Sequence, residues 1–240
     1  MLEVKNLKKR FGDFEAVKGI SFTVSKGEVL GFLGPNGAGK STTMRMITGF
    51  LPPSDGTAVI CGHDIGEEPV EAKKCIGYLP ESAPSYRSMV VEEYLKFIAE
   101  IRGFSGRAAK EAVERAIVKS RLEPVAKKTI ETLSKGYRQR TCFAQAIIHD
   151  PQVLIMDEPT DGLDPNQKFT VREMIREMAA EKAIVISTHI LEEVDAVCTR
   201  ALVIADGELK ADGTPAKLKA MDPSGRLDVV FRNLTNGGAK

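Results

Sequence analysis

The sequence lacks a surplus of charge and a long apolar run, and each absence excludes a class of protein. Thirty-four Lys and Arg residues face thirty-three Asp and Glu residues, so a formal net charge of +1 gives no overall attraction to nucleic acid or anionic lipid. The apolar runs at residues 153–156 and 183–186 are far shorter than the roughly 18 residues that span a bilayer. The first residues also lack the segments of a secretory signal. We expect a protein that neither crosses nor leaves the membrane unaided and has no nucleic-acid partner.

The chain is also poor in paired cysteines. Cys61, Cys75, Cys142 and Cys198 are scattered and form no C-x-x-C pair. This spacing argues against a disulfide framework and a zinc site, and it is typical of reduced thiols in the cytoplasm. No internal repeat is present. A chain of 240 residues, 42% of them hydrophobic, suits one large domain or a core with one substantial insertion.

The first part of the chain has the pattern of strands. Apolar and polar residues alternate at residues 2–4 and 20–24, which predicts half-buried strands. Residues 28–33 are almost continuously apolar, as in a strand buried on both faces. A glycine-rich turn follows, and apolar residues then recur at helical spacing from Met44 to Leu51. The predicted local order is strand, loop, helix.

The middle of the chain has the pattern of helices. After a turn-rich break over residues 80–85, Tyr94, Phe97, Ile98 and Ile101 share one helical face. Further helices are predicted around residues 109–117, 143–147 and 171–178. Short strands are predicted at residues 57–61, 75–79, 153–156, 183–187 and 201–204. Parallel strands that alternate with helices are the expected result.

The end of the chain is rich in turn residues. Pro215 and residues 223–225 and 236–238 interrupt it, and residues 227–231 have the composition of one more strand. We expect residues 215–240 to form a tail or the start of a small appendage.

A phosphate-binding loop is the clearest motif. Residues 34–41 fit G-x-x-x-x-G-K-[ST], in which backbone N–H groups wrap phosphate oxygens and glycine permits the close turns. Lys40 would reach the β- and γ-phosphates, and the hydroxyl of Ser41 would bind Mg²⁺. The helix that starts near Gly39 adds its positive dipole end. The residues assigned to nucleotide contact are Gly34, Pro35, Asn36, Gly37, Ala38, Gly39, Lys40, Ser41 and Thr42.

A second group of candidate residues follows the apolar strand at residues 153–156. Asp157 and Glu158 end this strand, and ligands of open α/β sheets bind at the carboxyl ends of strands. Asp157 would hold Mg²⁺ directly or through water. Glu158 points elsewhere and could take a proton from an attacking water as a general base. Two solvated acids at a turn before Pro159 are the alternative for this segment taken alone.

One further segment resembles a known family. Residues 133–137, Leu-Ser-Lys-Gly-Tyr, are similar to the signature LSGGQ of ATP-binding cassette (ABC) ATPases. Ser134 and Gly136 match, whereas Lys135 replaces a glycine and Tyr137 replaces the glutamine. Ser134 can cap the following helix while it presents its hydroxyl to an anion.

The resemblance implies roles for several more residues. Ser134 and Gly136 would contact the ATP bound by an opposite subunit, in a head-to-tail pair with Asp164 at the subunit contact. His189 matches the family's switch histidine near the γ-phosphate, and Phe11 occupies the position of the aromatic residue that stacks on adenine. The predicted catalytic residues are thus Lys40, Glu158 and His189, and the predicted metal residues are Ser41, Glu81 and Asp157. Glu81 stands where most of the family has a glutamine, and it adds negative charge.

The same resemblance implies the fold and the assembly. The expected fold is α/β, a RecA-like P-loop NTPase core with a mainly parallel sheet, an antiparallel β subdomain and a helical subdomain inserted at about residues 82–150. The ATPase domain would cover residues 1–214. Membrane permease subunits, encoded separately, would dock on the helical insertion and hold the protein on the cytoplasmic face of the membrane. The partner ATPase would be a second copy or a relative, and the departures at positions 81, 135 and 137 resemble the gliding-motility and multidrug exporter branch.

We therefore predict an ATP-hydrolysing subunit of an ABC transporter that uses ATP and Mg²⁺. A soluble ABC ATPase of DNA repair, chromosome organisation or translation is an alternative, although its usual coiled-coil insertion, zinc cysteines or duplicated domain are missing from the sequence. A P-loop GTPase or small-molecule kinase would leave Glu158, His189 and the signature unused, and no N-K-x-D motif is present. A regulatory protein that binds ATP without turnover is a third alternative, which activity assays would test.

Overall fold

The computed structural model describes residues 1–82 and 85–235 as ten strands and nine α-helices. The strands are β1 (Leu2–Phe11), β2 (Phe14–Val24), β3 (Val29–Leu33), β4 (Asp55–Ile60), β5 (His63–Asp64), β6 (Ile76–Leu79), β7 (Val153–Asp157), β8 (Ala183–Thr188), β9 (Arg200–Ala205) and β10 (Glu208–Gly213). The helices are α1 (Lys40–Ile47), α2 (Pro69–Lys74), α3 (Val91–Ile101), α4 (Gly106–Lys119), α5 (Lys135–Ile147), α6 (Pro165–Ala179), α7 (Leu191–Val197), α8 (Pro215–Lys219) and α9 (Leu227–Thr235). None of these helices is long and apolar enough to cross a membrane.

The strands form two sheets. A six-stranded sheet has the order β10-β9-β3-β8-β7-β6, and all its pairs are parallel except β9 with β10. Every residue of β3, β7 and β8 is buried, as the continuous apolar runs predict for strands covered on both faces. An antiparallel sheet has the order β2-β1-β4-β5. The predicted combination of a mainly parallel sheet and an antiparallel sheet is confirmed.

Helices cover both faces of the six-stranded sheet. On one face, α1 buries Met44, Met46 and Ile47 in a core that it shares with residues of both sheets. On the other face, Phe143 of α5 and Met174 of α6 lie in a second core cluster. This packing holds the first residue of α1 beside the carboxyl ends of the central strands, which positions the site described below.

The helical segment, which contains α3, α4 and α5, has a hydrophobic core of its own. The residues of α3 that face this core are not all those of the predicted apolar face. Val91, Tyr94, Leu95 and Ala99 of α3 are buried, whereas Phe97 and Ile101 are 36% and 64% exposed. The predicted helix is present, and of its predicted apolar face Tyr94 and Ile98 pack in this core, whereas Phe97 and Ile101 do not. The i, i+3, i+4 and i+8 spacing of the four buried residues turns that face of α3 toward α4 and α5.

The end of the chain also corrects a prediction. Residues 227–231 were expected to form a strand, but they begin helix α9. Leu227, Val230, Phe231 and Leu234 follow the i, i+3, i+4 and i+7 pattern of a helix and pack on a core cluster that contains β9 residues. The predicted turn at residues 236–238 and part of the predicted break at residues 80–85 lie outside the described residues.

Several elements differ from the pattern in smaller ways. Helix α1 ends at Ile47, before Leu51, because Gly49 has a φ of +66° that ends the helical path. Strands β5 and β10 and helices α2, α7 and α8 are short elements that hydrophobic periodicity did not predict. Short segments contain too few residues for a period to be recognised.

Candidate active site

The phosphate loop lies between β3 and α1 and is shaped by left-handed glycines. Gly37 and Gly39 have φ values of +82° and +99°, in the region that only glycine adopts readily. A Cβ on Gly39 would lie 2.6 Å from the Ala16 carbonyl oxygen, so a side chain there would force the loop away from β2. Helix α1 begins at Lys40, so the backbone N–H groups of its first turn face the loop.

Lys40 lies inside this loop and is only 5% exposed. Its Nζ donates to the carbonyl oxygens of Gly34 at 2.8 Å and Pro35 at 3.2 Å. The same Nζ lies 3.6 Å from Oε1 of Glu158. The backbone carbonyl oxygens thus hold a buried ammonium group within the loop. A fixed positive charge of this kind can bind a phosphate group.

The carboxyl ends of three adjacent strands bring the remaining polar groups together. Strand β8 lies between β3 and β7 in parallel register, so the loop after β3, the acids that end β7 and the residues after β8 meet at one edge. Asp157 pairs in register with Ser187 of β8. Oδ1 of Asp157 accepts hydrogen bonds from Ser41 Oγ at 3.2 Å and from Ser187 Oγ.

Glu158 follows Asp157 in an unusual backbone conformation. Its φ is +49°, in the left-handed region that non-glycine residues seldom adopt. The Glu158 amide donates to the Ser187 carbonyl oxygen at 3.1 Å. The turn directs the Glu158 carboxylate away from Asp157, with Oε1 toward Lys40 and Oε2 3.0 Å from Nδ1 of His189. The predicted divergence of the two acids is thus present in the structure.

Lys40, Glu158 and His189 line a cleft of about 520 Å³. The residues that line it are Phe11, Phe14, Ala16, Asn36, Gly37, Gly39, Lys40, Ser41, Thr42, Glu81, Glu158, Asp161 and His189. The Phe11 and Phe14 rings are 49% and 65% exposed, so neither serves as core packing. Exposed aromatic rings and the buried Lys40 ammonium in one cleft suit a ligand with a flat base and a phosphate chain.

The predicted magnesium residues fit a divalent cation. Ser41 and Asp157 present oxygen atoms to each other, and hydroxyl and carboxylate oxygens are the donors that Mg²⁺ prefers. Among residues 1–82 and 85–235, no group of three or more His, Cys, Asp or Glu side chains could hold a metal by itself. This matches a cation that is held by one or two protein oxygens together with substrate phosphates. Glu81 lines the cleft, as predicted, without contacting Ser41 or Asp157 in the described network.

The signature segment lies apart from the cleft. Ser134 is exposed and caps α5, with its Oγ accepting from the Tyr137 amide at 3.4 Å. Gly136 is buried, and a Cβ there would lie 2.4 Å from Oε1 of Gln167. The Tyr137 ring, at the position of the family's glutamine, stacks on the Arg140 guanidinium with 4.1 Å between the guanidinium carbon and the ring centroid.

Not every predicted residue faces the cleft, and some that do were missed. Gly34, Pro35 and Ala38 belong to the loop but do not line the cleft, and the carbonyl oxygens of the first two accept hydrogen bonds from Lys40. Phe14, Asp161 and Ser187 were not predicted. The signal for Ser187 was available, since it directly precedes Thr188 and His189 at the end of a buried strand. Its role depends on the pairing of β7 with β8, which sequence does not show.

The fold and the site together define a P-loop nucleotide-binding protein. A family model described as "ABC transporter" matches residues 17–161. This match covers more than half of the chain, and the chain therefore belongs to the ABC transporter ATP-binding family.

Curated relatives agree with this family. Linearmycin resistance ATP-binding protein LnrL of Bacillus subtilis (strain 168) is 40% identical over 219 residues, which are 91% of this chain and 70% of that protein. The Nod factor export ATP-binding protein I of Rhizobium sp. (strain N33) is 39% identical, over 90% of this chain and 72% of that protein. Probable multidrug ABC transporter ATP-binding protein YbhF of Escherichia coli (strain K12) is 37% identical over 92% of this chain, which spans only 38% of YbhF.

Solved structures confirm the fold. An ATP-binding subunit of an ABC transporter aligns with a TM-score of 0.86 and 30% identity, over 98% of this chain and 99% of that chain. The structure of cbiO1 from Clostridium perfringens, part of the ABC transporter complex cbiONQ, aligns with a TM-score of 0.83 and 28% identity, over 97% and 94% of the two chains. The α/β P-loop core and its two sheets are thus those of ABC ATPase subunits.

Proposed function

We propose that this chain binds and hydrolyses ATP and energises export through a separate membrane permease. The observation that carries the proposal is the Glu158 carboxylate, held between Lys40 and His189 at the closed end of the nucleotide cleft. A positioned carboxylate beside a phosphate loop is what in-line attack of water on a γ-phosphate needs.

Binding would use the two ends of the cleft. The exposed Phe11 ring would stack on adenine, and the backbone N–H groups of residues 37–42 would bind the phosphates. Lys40 Nζ, which donates to the Gly34 and Pro35 carbonyl oxygens, would turn toward the β- and γ-phosphates.

Hydrolysis would use Glu158 and His189. Glu158 would accept a proton from the attacking water, while His189 Nδ1 holds Oε2 of its carboxylate and Lys40, once it turns to the phosphates, leaves Oε1 to that water. Ser41 and Asp157 would hold Mg²⁺, which neutralises the charge that develops on the phosphate oxygens. Ser187 would orient Asp157 through its hydrogen bond. Positioning and electrostatics would supply most of the rate.

The signature segment would act on a second subunit. Ser134 is exposed at the N-terminus of α5, where its hydroxyl and the helix amides could bind the γ-phosphate of the opposite ATP. Asp164 caps α6 by accepting from the amides of Asn166 and Gln167, on an exposed turn that would contact that subunit. The active form would be a head-to-tail pair, made of two copies or of this chain with a relative.

Transport would require a partner in the membrane. The helical insertion, about residues 82–150 within an ATPase domain of residues 1–214, would dock the permease, and residues 215–240 would form a small appendage. The names of LnrL and the Nod factor protein indicate resistance and export, which favours export here over a soluble role in DNA repair or translation. The protein would then lie on the cytoplasmic face of the membrane.

Glu158→Gln tests the proposal directly. We expect ATP hydrolysis to fall by about 10²- to 10⁴-fold, because the general base is lost while binding is kept. ATP with Mg²⁺ should then convert the variant into a stable dimer, measured by light scattering with and without ATP. Glu181→Gln, an exposed glutamate at the end of α6, is the matched control and should hydrolyse ATP normally. A Glu158→Gln protein that turns over like the wild type would contradict the assignment.

A further inference from the structure

A second cleft, of about 310 Å³, adjoins the nucleotide cleft. It is lined by Arg45, Pro80, Glu81, Ser82, Lys135, Gln139, Glu158 and Asp161. Three of these residues, Glu81, Glu158 and Asp161, line the nucleotide cleft as well. The two clefts therefore share a wall of three carboxylates, and Arg45 and Lys135 supply positive charge from the second cleft.

Two of the lining residues are the departures noted in the sequence. Glu81 adds a negative charge where the family has a neutral glutamine, and Lys135 adds a positive charge where the signature has glycine. They come from the segment after β6 and from the first turn of α5, and the fold places both in one cleft. The two added charges cancel within that cleft.

The Lys135 ammonium lies against a glycine. Gly162, which directly follows Asp161, has a φ of +62°, and a Cβ on it would lie 2.0 Å from the Lys135 Nζ. The exposed Lys135 side chain thus reaches the segment that carries Asp161. In the part of the chain that the structure describes, no carboxylate oxygen lies within 4.0 Å of this Nζ, and Lys135 shares its cleft with the three carboxylates of the wall.

We propose that Lys135 is a positioning residue of the nucleotide site, whose ammonium balances the Glu81 carboxylate beside Glu158. The inference rests on the proposed ATPase function. Without this cation, Arg45 alone would supply positive charge from the second cleft, and the carboxylates of Glu81, Glu158 and Asp161 would repel one another and the incoming γ-phosphate more strongly. Glu158 would then leave its position between Lys40 and His189 more often, which lowers the rate of hydrolysis more than the affinity for ATP.

The kinetic test replaces Lys135 in two backgrounds. Lys135→Met keeps the length of the stem and should lower kcat about two- to fivefold at low salt with little change in KM, whereas Lys135→Arg should keep the wild-type rate. In the Glu81→Gln background, Lys135→Met should change kcat by less than about 1.5-fold, because the charge it balances is gone. High salt should shrink the loss in the native background. Lys127→Met, an exposed lysine outside both clefts, is the control.

An equal loss of kcat in both backgrounds would overturn the proposal, because Lys135 would then act independently of Glu81, for example across a dimer. A second measurement needs no nucleotide. The four combinations of native and replaced residues at positions 81 and 135 are compared by thermal unfolding at low salt. Lys135→Met should lower Tm by about 1 to 3 °C with Glu81 present and by less with Glu81→Gln. Absence of this coupling would also refute the inference. Normal coupling in a protein without hydrolysis would instead refute the proposed function alone.

Discussion

The carboxyl edge of the six-stranded sheet and the signature segment differ in how their functional groups are held. At the sheet edge, Lys40, Asp157 and Glu158 are buried and held by contacts within one chain. Asp157 accepts a hydrogen bond from Ser41, and the Glu158 carboxylate lies beside the Lys40 ammonium. In the signature segment, exposed Ser134 caps its own helix through the Tyr137 amide and does not line the nucleotide cleft. The first region is complete in a single chain, and the second presents its groups outward. This difference is the structural reason to expect a subunit that binds ATP alone and hydrolyses it in a pair.

The largest expected effect tests the complete region. Lys40→Met keeps the stem and removes the charge, so phosphate contact is lost, and we expect hydrolysis to fall about 10²- to 10³-fold. Steady-state phosphate release measures it. Lys182→Met is the matched control, since Lys182 is equally buried but pairs with Asp150 away from the cleft. It should lower stability without lowering the rate per folded molecule. Equal rate losses in the two variants would show that burial, not phosphate contact, explains the result.

The next prediction concerns the pH dependence of folding stability, through a histidine at the end of helix α5. His149 follows α5 and donates from Nε2 to the Ile76 carbonyl oxygen of β6 at 2.9 Å. Burial, with the charge of Arg102 second, lowers the pKa of His149 to about 4 from an ordinary value of 6.5. The folded protein thus keeps this ring neutral, while the unfolded chain takes up a proton below pH 6.5. Folding stability should therefore fall by about 2 to 3 kcal/mol between pH 7 and pH 4 on account of this one group.

Denaturant unfolding of the wild type and of His149→Gln across that pH range checks the sign. Glutamine can still donate to the Ile76 carbonyl but does not titrate, so the variant should lose less stability on acidification. A wild type and variant with parallel pH profiles would contradict the buried neutral histidine.

The smallest expected effect separates the two roles of Ser134. Ser134→Ala removes the cap and should cost about 0.5 to 1 kcal/mol of unfolding free energy, since the Oγ to N distance of 3.4 Å is long. Ser134→Asp keeps an acceptor for the Tyr137 amide but places negative charge where the opposite phosphate would bind. We expect the Asp variant to be the more stable of the two and yet the weaker in ATP-driven dimer formation in the Glu158→Gln background.

The control is another cap. Thr214 accepts from the Lys217 amide at 3.2 Å at the start of α8, far from the signature in sequence. Thr214→Ala should cost similar stability and leave dimer formation unchanged. If both Ser134 variants form dimers as readily as Thr214→Ala, the outward-facing role of Ser134 is wrong.

Sequence predicted the long and strongly patterned parts of the molecule. The continuous apolar run of β3 identified a fully buried strand, the apolar runs of β7 and β8 identified strands, and the glycine spacing of residues 34–41 identified the phosphate loop. It failed where patterns are short or ambiguous. Residues 227–231 contain two valines and a phenylalanine, a composition that suggests a strand. They form a helix because a helix places Leu227 and Val230 on the same face, where both are buried against the core, whereas a strand would place them on opposite faces.

By itself, the sequence determined which chemical groups are available: a lysine and a serine after a glycine loop, two acids after a buried strand, and a histidine after another. These depend on spacing within one segment, which a linear pattern records. Only the tertiary structure decided which groups meet. The parallel register of β7 and β8 joins Asp157 to Ser187, and the left-handed turn at Glu158 directs its carboxylate to Lys40 and His189. The packing of α5 brings Lys135 into the cleft of Glu81, because contacts between distant segments arise from burial and sheet pairing rather than from local spacing.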